Sequence, residues 1–280
     1  MMIKFLISIL MTIGLLPNQI NNSSVSKNSG EDLCNLKNTT FKAGEKLTYK
    51  IYYNWGILWM PAGNATFSVA EKNDRFILSA HGKTFSTYNW FYKVNDKFYS
   101  HVDKNTLLPS YAKRDIDEDG FKILNEISFD QQSGKASSYL KVNKQEPRTV
   151  KKTFDNCMMD IVSLVYKLRN LDAKSLKAKE KVDFKMMMDE DIYDLSFEYL
   201  GKESAKNVNG LGVFNTIKIS PTVIKGRVFD QEQRMTIWIS DDNSKVPLYI
   251  ESPLTVGSVK VILQSYENLL HPLQKIRSVK

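Results

Sequence analysis

GRVFDQEQRMTIWISDDNSKVPLYIESPLTVGSVK, residues 226–260, holds three strand-like runs and two turn signals in one continuous segment. Met235, Ile237 and Ile239 alternate with Arg234, Thr236 and Ser240, the period of two that a strand shows when one face is buried, and Trp238 adds an aromatic to the other face. Asp241-Asp242-Asn243-Ser244 turns the chain, Pro247 opens the next short run, and Val259, Val261 and Leu263 alternate in a third. The segment predicts an antiparallel β-meander and carries no catalytic motif.

The same period runs upstream. Leu47, Tyr49, Ile51 and Tyr53 alternate with polar or aromatic neighbours, and Ala65, Phe67 and Val69 follow. Between these runs, Trp55 to Pro61 reads as a connection of unusual apolar character, since connections normally cross the surface. Strand patterns continue over 76–80, 97–102, 107–113, 121–129 and 135–142, then over 182–188, 195–199 and 214–219. One stretch changes period. Cys157, Ile161, Leu164, Val165 and Leu168 fall on one helical face behind Asp155 or Asn156 as N-cap, with Lys167 and Arg169 near the C-terminal end, where the helix dipole favours cations. These patterns predict an all-β, mostly antiparallel fold with one packed α-helix: a large curved sheet, a sandwich or a partly open barrel.

The 280 residues are 42% hydrophobic and 25% charged, a globular composition with room for a substantial core. The net charge of +8 is scattered among acids, unlike the clustered basic stripe that nucleic acid requires, so no nucleic-acid partner is expected. Lys4 precedes an apolar run from Phe5 to Leu16 that ends at Pro17 and a polar Asn/Ser tract, which is the pattern of a secretory signal peptide. That run is shorter than the roughly 20 residues needed to span a bilayer, and no transmembrane span is expected once it is removed. Ser24-Val25-Ser26 offers small residues at the positions a signal peptidase reads. The expected organisation is a signal peptide over 1–26, a polar linker over 27–40, a single β-rich domain over 41–272 and a C-terminal tail over 273–280.

Export makes a Cys34–Cys157 disulfide the leading reading of the two cysteines, with two buried free thiols as the alternative. Lipidation at Cys34 is disfavoured, because Glu31-Asp32-Leu33 lacks the small residues of a lipobox.

Several segments together carry a resemblance. They are Phe41-Lys42-Ala43-Gly44-Glu45, Trp55 followed by Ala62-Gly63, Asp160-Ile161-Val162-Ser163 through Arg169, Trp238 to Asn243 with Pro247-Leu248, and Val256-Gly257-Ser258. In this order they resemble the exported bacterial family called domain of unknown function 3108, common in Bacteroidetes. The resemblance implies a β-rich, YmcC-like fold and a location in the periplasm or cell envelope. No established activity or catalytic residues come with the family, so none are carried over, and no cofactor is expected.

Asp115, Asp117 and Asp119 with Gly120 and Glu126 satisfy the spacing of a calcium loop. An EF-hand needs flanking helices, however, and here both flanks read as strand, so an acidic hairpin turn is the expected form and no metal site is assigned. Met186, Met187 and Met188 continue a strand with core character, and His81, His101 and His271 lack ligand spacing. The aromatic and apolar side chains Trp55, Ile57, Leu58, Trp59, Tyr88 and Trp90 are the candidate ligand-binding residues, either as a stacking surface for a glycan or as an apolar contact for lipid or an envelope protein. The expected function is a non-catalytic binding or scaffolding protein of the envelope. The alternative is an envelope hydrolase acting on glycan or lipid, which would need carboxylates converging in a cleft.

Overall fold

The computed structural model describes residues 33–55, 58–88, 90, 92–221, 235–254 and 257–277, with the backbone alone for Trp55. The apolar run at 5–16 and the proposed cleavage region lie outside these residues. Among them, one half of the sheet is built from β1 (Lys46–Trp55), β2 (Leu58–Lys72), β3 (Arg75–Thr84), β4 (Asn95–Asp103), β5 (Pro109–Glu118), β6 (Phe121–Asp130), β7 (Lys135–Val142) and β8 (Arg148–Thr153). The helix α1 (Ile161–Leu168) follows, and β9 (Lys181–Met188), β10 (Asp191–Val208), β11 (Gly212–Pro221), β12 (Thr236–Ser240), β13 (Pro247–Pro253) and β14 (Ser258–Glu267) complete the other half. All fourteen strands form one antiparallel sheet, with the expected meander β12–β13–β14 inside it.

The strand order is 8-7-6-5-4-3-2-1-14-13-12-11-10-9. The first and last strands pair in the centre, and the sheet stays open between β8 and β9, which are consecutive in sequence. Neighbouring strands are consecutive in sequence except for β1 with β14, whereas the crossing from β8 to β9, which are not neighbours, carries the helix. That crossing is therefore where closure into a barrel is lost.

β8 escapes the sequence reading because it has no buried alternation: all six of its residues are exposed or half-buried. Its strand character comes from pairing with β7, from Lys135 opposite Thr153 to Leu140 opposite Arg148. Arg148, Lys151 and Lys152 on this edge discourage pairing with other chains. The segment from Trp55 to Pro61 also differs from expectation. Its described residues are strand, because β1 continues to Trp55 and β2 begins at Leu58 directly opposite it. Within β2, Met60 packs against the core while Trp59 takes the other face by alternation.

The helix is corrected in its start and its buried face. Asp160 is the N-cap, its carboxylate accepting from the backbone N–H of Val162 and Ser163, while the Ser163 hydroxyl accepts from the Asp160 N–H. Cys157 thus precedes the helix. The chain bends at Asp155-Asn156, where Asn156 has a φ of +62°, and Met159 beyond it is bridged to Met186. The buried residues are Val162, Ser163, Leu164, Tyr166 and Lys167 rather than one narrow stripe, because α1 lies between the two halves of the sheet. Val162 and Tyr166 pack with Phe41, Leu78 and Phe98 on one side, and Leu164 packs with Phe184 and Phe197 on the other. Each such large apolar side chain stabilises the fold by about 1.5–3 kcal/mol relative to exposure.

Candidate functional site

Three chain tips meet at one end of the sheet. The Phe85 N–H donates to the Ala62 carbonyl (3.1 Å), joining the β3–β4 connection to the β1–β2 hairpin, and the Asp119 N–H donates to the Lys93 carbonyl (2.7 Å), joining it to the β5–β6 hairpin. On this continuous rim Leu58 is 66% exposed, Trp90 84% and Phe121 38%. Ile57 lies outside the described residues, as does the side chain of Trp55. Tyr88 is half-buried at the end of the short 3-10 turn Ser86–Tyr88. Trp59 faces away from Leu58 and Met60 by strand alternation, and its ring is covered by the Lys260 ammonium 3.7 Å from the centroid. Leu58 and Trp90 are thus brought to one rim, and Trp59 belongs to the outer face of the sheet. On the neighbouring β13–β14 tip, Gly257 adopts a left-handed φ of +79°, and a Cβ there would meet the Asn54 carbonyl oxygen at 2.2 Å, which accounts for a glycine in Val256-Gly257-Ser258.

Beneath the rim lies a group of acids absent from the sequence reading. Asp96 is 1% exposed, one carboxylate oxygen accepting from the Asp117 N–H (3.2 Å) and the other, buried, having no donor. Val94 pairs with Glu118 across the strands and Asp96 follows two residues later, so the two carboxyl groups are diagonal neighbours on the inner face. The Tyr92 hydroxyl donates to Glu118 at 3.3 Å. Burial, with the Glu118 charge adding to it, pushes Asp96 up to about 8. The alternation Asp96, Phe98, Ser100, Val102 was the available signal, since it carries an acid onto the core face.

The β9–β10 turn clasps the open edge of the sheet. Asp189 is ion-paired inside with Arg114 of β5, which also donates to the Met188 sulfur at 3.0 Å. The Asp189 carbonyl accepts from the Ser138 hydroxyl, and its N–H donates to Asn125 at 3.1 Å. Because this edge is covered on both faces, Met187 is buried along with Met186 and Met188.

The opposite end of the sheet gathers three of the segments that carry the family resemblance, around Glu45, Arg169 and Asp242. Arg169 makes a two-pronged ion pair with Glu45 (2.5 and 3.0 Å), donates to the Ser244 carbonyl (3.0 Å) and lies against Phe41 and Tyr166. Asp242 accepts from Ser240, Ser244 and Lys245 within its turn and from the Gln274 N–H. These groups hold one another in the core. Beside them, a polar cleft of about 330 Å³ is lined by Thr39, Asn170, Asp172, Asn243, Lys245 and His271. Lys167 is fully buried and donates to the carbonyls of Cys34 (3.2 Å), Leu36 (3.3 Å) and Thr106 (2.5 Å). Burial lowers its ammonium to about 8. Lys167 and Arg169 therefore act as internal fasteners, where the sequence reading had them as cations on a helix end. Cys34 and Cys157 form a disulfide with Cα atoms 5.6 Å apart.

The calcium-like residues lie on a hairpin with Asp119-Gly120 as its turn. Asp117 is opposite Lys122, and Glu126 accepts from the Tyr111 hydroxyl at 2.6 Å with the Lys113 ammonium 3.8 Å away. Two histidines have protein partners of their own, His81 with the Asn95 side chain (2.7 Å) and His271 with the Thr39 carbonyl (2.8 Å), while the His101 ring lies beside that of Tyr111.

Comparison with known proteins bears on the fold and the family. A beta-barrel-like protein of domain of unknown function DUF1849 from Brucella abortus superposes with a TM-score of 0.53 and 9% identity, covering 80% of this chain and 97% of that one. That likeness is one of fold. Weaker similarities, with TM-scores of 0.35 and 0.24, are to an exported protein with a YmcC-like fold from Bacteroides fragilis (8% identity, 83% of this chain and 99% of that one) and to lipoprotein LppX of Mycobacterium tuberculosis (10% identity, 82% and 88%). No curated protein matches the sequence. The sequence model described as "Protein of unknown function (DUF3108)" matches residues 48–264, a span that begins in β1 and ends in β14, and the chain belongs to that family.

Proposed function

We propose that the protein is a non-catalytic binding protein of the cell envelope that docks on a lipid surface through the rim formed by Leu58, Trp90 and Phe121. The observation that carries this reading is the exposure of Trp90 (84%) and Leu58 (66%) on tips tied together by backbone hydrogen bonds. Large apolar side chains held out at one end of a sheet are costly in water, and Trp suits the boundary between headgroups and acyl chains. Lys83, Lys93 and Lys122 are exposed on the same tips and complement anionic headgroups. The N-terminal apolar run supports export to the envelope, with residues 1–26 removed; N-terminal sequencing of the secreted protein tests that cut.

Docking is tested with phosphatidylcholine–phosphatidylglycerol vesicles. Leu58→Ala and Trp90→Ala should keep unfolding stability within about 1 kcal/mol of the parent, as surface substitutions do, and should lose vesicle binding. Unchanged vesicle binding in both variants, or none by the parent, overturns the lipid reading in favour of a glycan or a protein partner.

A further inference from the structure

We propose that Asp96 and Glu118 are a proton-operated latch for the rim: a single proton shared by the two carboxyl groups seats the β3–β4 connection on β5, and its loss releases the connection that carries Trp90. This rests on the rim being the binding surface, and it adds the regulation of that surface.

The geometry makes the connection and the acid pair one unit. The last residue of the connection, Val94, donates its N–H to the Thr84 hydroxyl (3.0 Å) and bridges to Glu118. Tyr92 donates its hydroxyl to Glu118, and the Lys93 carbonyl accepts from Asp119, the residue next to Glu118. Three successive residues of the connection are therefore fastened to the end of β5. Asp96 lies behind them with a buried oxygen that lacks a donor.

Two carboxylates on neighbouring positions of a dry inner face repel unless one of them is protonated, and a protonated carboxyl can donate to its neighbour. The ionisable groups that face Asp96 come from β5, the connection and the β5–β6 turn. From β5 come Glu118 itself and Arg114, which is committed to Asp189. The connection contributes Tyr92, and the β5–β6 turn contributes Asp119, which adds negative charge near Tyr92. On β3 the residue opposite Asp96 is Gly82, while His81 and Lys83 take the outer face by alternation.

The sign of the pH dependence follows. Asp96 titrates in the folded protein near 8 instead of its ordinary 3.8, so the latch is closed below that range and opens as pH rises through it. If only the latched form docks, the apparent Kd for vesicles rises up to about tenfold per pH unit above the titration point, as loss of one proton requires.

Infrared spectroscopy tests the pair directly. At about pH 7, where ordinary carboxyl groups are ionised, the protein should show the C=O band of a protonated carboxyl, and this band should vanish on alkaline titration and in Asp96→Asn. A spectrum with every carboxyl ionised at that pH overturns the proposal. The second measurement is amide hydrogen exchange across residues 84–94, corrected for intrinsic rates, together with vesicle binding. Both should change with alkalinity in the parent, and in Glu118→Gln, which keeps a hydrogen-bonding side chain without the charge and serves if Asp96→Asn fails to fold, the change should move to lower pH. An infrared band that titrates while exchange in the connection stays constant also overturns the latch. Absence of vesicle binding at every pH would refute the docking surface alone, because the infrared and exchange results would still decide the pair.

Discussion

Glu45 and Arg169, 124 residues apart in sequence, meet inside the sheet as a bidentate ion pair with both side chains almost wholly removed from solvent. Glu45 immediately precedes the central strand β1, and Arg169 caps the helix of the β8–β9 crossing. The pair thus ties the middle of the sheet to the segment that spans its opening. Removing one partner leaves a buried charge without compensation, so Glu45→Ala should destabilise the protein by about 3–5 kcal/mol. Replacing both residues with methionine should recover much of that loss. Urea unfolding of the parent and the two variants checks both statements, and equal stability of parent and Glu45→Ala would contradict the first.

The disulfide closes a loop of 123 residues and anchors the segment that leads into β1. Its removal in Cys34→Ser with Cys157→Ser should cost about 2–5 kcal/mol. Labelling the denatured, unreduced protein with a thiol reagent should find no free cysteine; two labelled thiols would show the bond to be absent.

Lys167 should give stability an alkaline rise. Burial lowers its ammonium from 10.5 to about 8. Between these values the unfolded chain holds the proton that the folded one has given up, so this group makes folding more favourable as pH increases through the window. Lys167→Met should lack that contribution. The measurement is the difference in unfolding free energy between parent and variant at the two ends of the window, and a constant difference would refute the assignment.

The acidic β5–β6 hairpin should not hold calcium at micromolar affinity. Asp115 and Asp117 lie along a strand opposite Leu124 and Lys122, and Glu126 is engaged by Tyr111 and Lys113. A ligand at a hundred times its Kd stabilises a folded protein by about 2.7 kcal/mol. Millimolar calcium should therefore leave the Tm unchanged, and a rise abolished by Asp117→Ala would show a site.

The sequence by itself determined the strands that have one wet face and one dry face. Met235 to Ile239, Val259 to Leu263 and Val182 to Met188 were legible because alternation is a local property, and the helix was legible by its change of period. Tertiary structure decided everything that depends on which segments become neighbours. β8 has no buried face and is a strand only because β7 pairs with it. The helix begins at Asp160 because the residues before it are drawn into a bridge with β9. Trp55 to Pro61 looked like a connection, yet the hairpin it forms is set by cross-strand register. Trp90 and Leu58 were candidates from their chemistry alone, but 32 positions of chain separate them, and only the hydrogen bonds between their two tips place them on one rim. Asp96 had no place in the sequence reading, and Glu118 lay only within the acidic turn of the calcium-like spacing. Alternation along β4 points Asp96 to the core face, but its proximity to Glu118 arises from cross-strand register between β4 and β5, which no local pattern encodes.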